Sequence, residues 1–234
     1  MPKTIESEAL VVRTVAYRES DVIVTLLTAT DGKLGALVRG GRKSTRRVGG
    51  ALEPVHTIAV KLEDRGGDLA TLREARVVKV RARTVTDLEA LDVAGMALRW
   101  ARHLFQPRHP EPQAWETTLG LLDALEAGEG APRALLAGAA LRLLADVGYA
   151  LDLDRCVKCG RLCPVDRPAA IDAGRGGLVC QACGGARRIM SPALRRIARA
   201  AAAGEPVTMS PEEADRLLAI VDDAMAAHTG FEPK

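Results

Sequence analysis

The residues best equipped for chemistry in this chain are its five cysteines, all between Cys156 and Cys183. Cys156-Val157-Lys158-Cys159-Gly160 and Cys180-Gln181-Ala182-Cys183-Gly184 are two C-x-x-C-G knuckles with 20 residues between Cys159 and Cys180. Two residues between thiolates let both sulfurs converge on one ion, and the glycine that follows can adopt the left-handed conformation that closes the turn. Four thiolates make a closed tetrahedral shell with no position left for water. The expected cofactor is therefore one structural Zn2+ held by Cys156, Cys159, Cys180 and Cys183, contributing folding free energy to a loop with little apolar surface of its own. The alternatives are an iron–sulfur cluster and metal-free redox thiols. A redox dithiol calls for a single C-x-x-C opening a helix after a strand, and here two matched pairs flank a loop. Cys163, just before Pro164, is expected to be a spare thiol, the alternative being that it competes with Cys159 for the metal.

A second group of residues suits polyanions. Arg39-Gly40-Gly41-Arg42-Lys43-Ser44-Thr45-Arg46-Arg47 places five cations in nine residues, with no acid from Lys33 through Leu52. Each cation that neutralises a phosphate releases condensed counterions, so binding of this kind is salt-dependent and largely indifferent to sequence. A further basic row, Arg73, Arg76, Lys79, Arg81 and Arg83, follows along a predicted strand. The plainer alternative is a solvated hairpin loop. The charge distribution favours nucleic acid: residues 1–83 carry 16 basic against 10 acidic side chains, residues 84–150 carry 5 against 9, and residues 151–234 carry 12 against 11. Aromatic content is 3%, and Tyr17 is the only aromatic residue before Trp100, so base stacking is expected to be minor and electrostatics dominant.

Catalysis finds little support. Gly35 and Gly40 with Arg42-Lys43-Ser44 fail the spacing of a phosphate-binding nucleotide loop, which needs Lys directly after the second Gly and then a helix. His56, His103, His109 and His228 have no nucleophile or carboxylate beside them in a catalytic pattern. The acidic pairs Glu63-Asp64, Glu212-Glu213 and Asp222-Asp223 read as solvated faces or turns. The chain is expected not to be an enzyme.

The elements that must position these residues change character along the chain. Leu10–Val12, Val22–Leu27, Leu34–Val38, Ile58–Leu62 and Ala75–Val80 are short apolar or alternating runs split by turns such as Asp31-Gly32 and Gly66-Gly67-Asp68, which suggests a small antiparallel barrel of the oligonucleotide-binding kind. From Asp87 the period becomes helical: Leu88, Leu91, Ala94, Met96 and Leu98, then Leu119, Leu122 and Leu125, then Leu135, Leu136, Ala139, Leu143 and Leu144. The segment Gln106–Pro112 interrupts this region, and Gly128–Pro132 divides the next two helices. Ser191-Pro192 and Ser210-Pro211 each offer a hydroxyl cap before Pro at the first helical position, Glu213 completes a capping box, and Gly204 can end the first of these helices.

The predicted architecture is α+β: an oligonucleotide-binding β-barrel over 1–83, then a helical domain over 84–234 containing a zinc module at 152–190. At 47% apolar the chain can build a sizeable core. It has no run of about 18 apolar residues, and its start lacks the charged-then-apolar pattern of a secretory signal. An odd cysteine count in a narrow span suits a reducing compartment, so a cytoplasmic protein with no membrane partner is expected.

Several stretches, in order, resemble the bacterial RecO family of recombination mediators. They are Glu8-Ala9-Leu10-Val11-Val12-Arg13 through Tyr17-Arg18-Glu19-Ser20-Asp21, Leu27-Thr28 with Asp31-Gly32-Lys33, Gly40-Gly41-Arg42-Lys43-Ser44, and Leu143–Tyr149 leading through Leu151-Asp152-Leu153-Asp154-Arg155 into the first knuckle. The resemblance covers almost the whole chain. It implies DNA repair and recombination in the bacterial cytoplasm at the nucleoid, binding to single- and double-stranded DNA, and strand annealing. It also implies partnership with RecR and with the C-terminal tail of single-strand-binding protein in loading RecA at gaps. Members differ in whether they keep all four cysteines; this chain does. By the resemblance, Arg39, Arg42, Lys43, Arg46 and Arg47 are expected DNA contacts, with Arg195, Arg196 and Arg199 on the helix after the zinc module as further ones; the charge of the basic row adds Arg76, Lys79 and Arg81. The alternative is a zinc-ribbon transcription or translation factor with a similar barrel, binding RNA or DNA.

Overall fold

Alternation of buried and exposed residues defines the first part of the chain. In the computed structural model, which describes residues 2–41 and 51–231, five strands close into a barrel: β1 (Lys3–Tyr17), β2 (Asp21–Thr28), β3 (Gly32–Val38), β4 (Thr57–Asp64) and β5 (Leu69–Lys79). Their order is β1-β2-β3-β5-β4, with β4 returning to β1. All neighbours are antiparallel except β3 and β5, which pair in parallel over Gly35–Leu37 and Leu69–Thr71. Each expected apolar run lies on one of these strands, save that Val80 falls just past the end of β5. β5 starts earlier than its apolar run because the Gly66-Gly67 turn returns the chain directly onto β4 and β3.

Inside the barrel, Val11, Val24, Leu26, Leu34, Ala36, Ile58, Val60 and Leu62 form one apolar core. Period-two alternation sends the intervening residues outward. β1 serves two neighbours in turn: Lys3–Leu10 pair with β4, and Ala9–Tyr17 pair with β2, with a register shift between Val11 and Arg13. Its last five residues, Arg13–Tyr17, extend past the end of the β4 ladder and are all exposed.

Helices follow where the period changes: α1 (Ala82–Thr86), α2 (Leu88–Leu104), α3 (Pro112–Ala127) and α4 (Pro132–Asp146). Asp87 caps α2, its carboxylate accepting from the N–H groups of Glu89 and Ala90. Leu88, expected on the buried stripe, is 84% exposed, since the buried face runs through Ala90, Val93, Ala94, Ala97, Leu98, Ala101 and Leu104.

The chain forms two compact units, residues 1–127 and 128–234. Helices α1 to α3 thus pack in one unit with the barrel, although the expected change from strands to helices comes at 83/84. Long-range polar contacts tie them to it. Lys33 donates to the Arg102 carbonyl at 2.7 Å, Arg108 pairs with Asp64, and Arg81 pairs with Asp123 of α3. The Arg108 guanidinium and the Gly66 N–H hold the Asp64 carboxyl below its ordinary range.

The second unit holds α4, a four-stranded sheet and two closing helices. Its strands are β6 (Asp152–Cys156), β7 (Ala169–Asp172), β8 (Gly177–Leu178) and β9 (Arg188–Met190), in the order β6-β8-β7-β9. α5 (Pro192–Ala202) and α6 (Pro211–Thr229) start as expected: Ser191 Oγ accepts from Leu194 N–H, and Ser210 and Glu213 form a reciprocal capping box. Both α5 and α6 pack on α4. Among the described residues, no helix is long and apolar enough to cross a membrane.

Candidate metal centre and nucleic-acid interface

The two knuckles meet. Cys156 ends β6 and is buried, Cys159 lies in the turn that follows, Cys180 precedes a short 3-10 turn at Gln181–Cys183, and Cys183 ends it. Gly160 and Gly184 take φ of 70° and 97°, the left-handed conformation that the knuckle requires. Beyond them the backbone folds over the sulfurs: Cys180 N–H donates to Cys156 Sγ at 3.3 Å.

The ligand atoms of Cys156, Cys159, Cys180 and Cys183 lie within 4.8 Å of one another, and Cys159 and Cys180 Sγ are 3.8 Å apart. A tetrahedral ion with metal–sulfur bonds of about 2.3 Å separates its sulfurs by about 3.8 Å, so the four thiols fit a single metal ion of that size. The Cys180 N–H, partly opposed by burial, holds the Cys156 thiol down at about 6. Hydrogen bonds with the Cys159 and Cys180 thiols push Cys183 up to about 12. Cys163 stands outside this group: it is buried, burial raises its thiol pKa, and its sulfur lies 3.9 Å from the Arg161 carbonyl.

One residue expected on DNA supports this centre from inside. Arg195 of α5 is 1% exposed and donates to three backbone carbonyls, of Leu153 at 2.5 Å, Pro164 at 2.7 Å and Cys163 at 2.8 Å. Its guanidinium staples β6 and the loop after the first knuckle to α5. The expectation that Arg195 touches DNA is thereby corrected, because a buried guanidinium bonded to main-chain carbonyls has no face for a phosphate. Arg199 shares its helix face, as the i, i+4 spacing required, but that face meets Asp154, whose Oδ1 is 3.3 Å from Arg199 Nη1. Arg199 and Arg196 are exposed.

A second correction falls on the barrel. Arg81 is 0% exposed: Nη1 donates to the Val55 carbonyl at 2.7 Å and to Thr57 Oγ1 at 3.0 Å, while Nε and Nη2 donate to Asp123 Oδ1. Its own N–H donates to His56 Nδ1, so that ring nitrogen is an acceptor. Burial pushes the Asp123 carboxyl up, yet hydrogen bonds from Lys79 and Arg81 outweigh it and leave the group below its ordinary value. Lys79 is half-exposed and engaged by the other Asp123 oxygen at 2.8 Å. Arg81 thus joins the barrel to α3 and is not a DNA contact. A basic row on a strand edge gave no signal separating this buried member from its exposed neighbours.

Two of the expected contacts on the barrel are open to solvent. Arg39, exposed at the end of β3, precedes Gly40, whose N–H donates to Asp21 Oδ1 at 2.8 Å. Arg76, exposed on β5, lines a groove of about 790 Å³ across β1, β4 and β5 whose other walls include Glu6, Glu8, Lys61, Arg73 and Glu74. That groove is charge-mixed, with Lys61 paired to Glu6 and Arg73 to Glu63. Arg42, Lys43, Arg46 and Arg47 lie outside the described residues.

The sequence matches the family described as Recombination protein O N terminal over residues 1–81 and Recombination protein O C terminal over residues 85–234. Proteins named DNA repair protein RecO are similar along the chain. One from Geobacter sulfurreducens is 37% identical over 231 residues, covering 96% of this chain and 92% of its own length. One from Anaeromyxobacter sp. (strain K) is 42% identical over 176 residues, covering 74% of this chain and 68% of its own. One from Myxococcus xanthus is 34% identical over 228 residues, with 96% and 92% coverage. With both halves of the family pattern matched in order and relatives aligned nearly end to end, the chain belongs to the RecO family of recombination proteins.

Proposed function

We propose that this protein is a DNA-binding recombination mediator in DNA repair. It holds single- and double-stranded DNA through the barrel, promotes annealing of complementary strands, and with RecR helps load RecA onto strands coated by single-strand-binding protein. It breaks and forms no bonds. Annealing is opposed by phosphate–phosphate repulsion, and a cationic surface that neutralises both strands lowers that barrier. The observation that carries this reading is the closed five-strand barrel bearing the segment Arg39–Arg47 between β3 and β4, a cationic stretch without a single acid. Relatives named for DNA repair support it.

The metal is Zn2+. Four soft thiolates that leave no open position suit zinc in a structural role, in which it fixes the loop geometry and supplies no reactive water. The protein works in the cytoplasm at the nucleoid. Arg39, Arg42, Lys43, Arg46 and Arg47 are its principal DNA contacts, with Arg76, Lys79, Arg196 and Arg199 as secondary ones.

The test is annealing of complementary oligonucleotides by the wild-type protein and by an Arg42→Glu, Lys43→Glu double variant. Annealing falls at least about tenfold in the variant, since each reversal both removes a phosphate contact and adds repulsion, while metal content and unfolding midpoint stay at wild-type values. Unchanged annealing rejects the loop as the contact, and a preference for RNA over matched DNA in competition rejects the recombination reading.

A further inference from the structure

The outer face of β1, β2 and β3 carries a row of apolar side chains that the barrel core does not use. Antiparallel partners share a face of the sheet, and the register aligns Val15 with Ile23 and Ile23 with Leu37. Their neighbours Val22, Val24, Ala36 and Val38 point into the core and are buried, whereas Val15 is 41% exposed and Ile23 and Leu37 are half-buried. The same register puts Arg13 and Tyr17 on this outer face, two residues either side of Val15. Tyr17 is 38% exposed even with the Arg18 guanidinium over its ring, 5.1 Å from the centroid. Arg18 reaches that position from a φ of 54°, a conformation that non-glycine residues adopt at a cost. At the adjoining end of β3 stands the exposed Arg39, and the Asp21 carboxylate between the two ends is engaged by the Gly40 N–H.

We propose that this outer face is a stacking platform for the unpaired bases of a single strand, with Tyr17 as the stacking residue and Arg13, Arg18 and Arg39 as its phosphate partners. The inference deepens the proposed function and rests on it. An aromatic ring beside a guanidinium, next to an apolar row and rimmed by cations, matches the two surfaces of a single strand: flat apolar bases and a charged backbone. A duplex keeps its bases stacked on one another, so it gains nothing from the ring and uses only the cations. The ring thus supplies a preference for unpaired DNA that the cationic segment, indifferent to strandedness, does not.

The test uses the full chain. Tyr17→Ala lowers affinity for a poly-dT oligonucleotide by about 5- to 150-fold, the range of one lost base stack, and Tyr17→Phe retains wild-type affinity. Duplex affinity of Tyr17→Ala stays within about twofold, and the slope of log affinity against log salt is unchanged because no charge is removed. Arg18→Ala lowers that slope by about 0.7 for a single strand. As a measurement independent of any variant's folding, irradiation of wild-type protein bound to an oligonucleotide carrying 5-iodouracil cross-links Tyr17. A Tyr17→Ala protein that binds poly-dT as the wild type does, an equal loss on single strand and duplex, or cross-links confined to other residues each overturns the platform. The first of these leaves the proposed function standing, whereas failure of the wild type to bind any DNA removes both. If the face is instead a protein-docking surface, the single-strand arm shows no change and the platform falls.

Discussion

Four sulfurs within 4.8 Å repel one another once ionised unless a cation lies between them. The Cys180 N–H that favours the Cys156 thiolate and the thiol contacts that oppose ionisation of Cys183 make a set in which the protons do not all leave without an ion. Metal binding must displace them, so occupancy falls in acid. Removing one ligand should break the closed shell: Cys180→Ser is expected to lower zinc content, read by atomic emission, from about one ion per chain to well under half, and to lower solubility with it. Full retention of both would reject the metal assignment. Cys163→Ser, at the buried thiol outside the group, is expected to leave zinc content unchanged, which controls for the chemistry of the substitution. The ligand set was legible in the sequence because chelation imposes a spacing on the chain. The role of Arg195 was not, since its three carbonyl partners are main-chain atoms that leave no side-chain pattern to read.

At the level of elements, the strands of the barrel could be read from alternation, and the helices from caps and period, because both follow from local geometry. Strands β6 to β9 could not. They are 2 to 5 residues long, too short for a period to show, and are held by their ladder and by the knuckles. Nor could the attachment of α1 to α3 to the barrel be read, for it depends on pairs far apart in sequence such as Arg81 with Asp123. Arg81 appeared as one basic residue among several on β5 and after it; only burial distinguishes its work. Replacing it leaves the Val55 carbonyl and the Thr57 hydroxyl unsatisfied in the interior, and orphaned buried groups cost about 1–3 kcal/mol each. Arg81→Met is expected to lower the urea stability of the protein by about 2 kcal/mol or more, with DNA affinity of the folded variant unchanged. A fall in affinity at unchanged stability would return Arg81 to the DNA interface.

For the molecule as a whole, the charge division was visible from composition alone: the first 83 residues hold a surplus of six basic side chains. Composition could not say which of those cations face solvent. The structure withdraws Arg81 into the interior and engages Lys79 with an acid, and among the described residues it leaves Arg39 and Arg76 exposed. A low aromatic count also says nothing about where one ring is placed: Tyr17 is 38% exposed, with the Arg18 guanidinium over it. Affinity for DNA, on this reading, arises from cations exchanging counterions with phosphates, and single-strand affinity across a salt titration measures that exchange. If Arg39, Arg42, Lys43, Arg46 and Arg47 each neutralise one phosphate, log affinity falls linearly with log salt at a slope of at least about −3.5, steeper by about 0.7 for each further cation engaged. A slope near zero, with affinity preserved at high salt, would mean that the protein holds DNA by something other than charge.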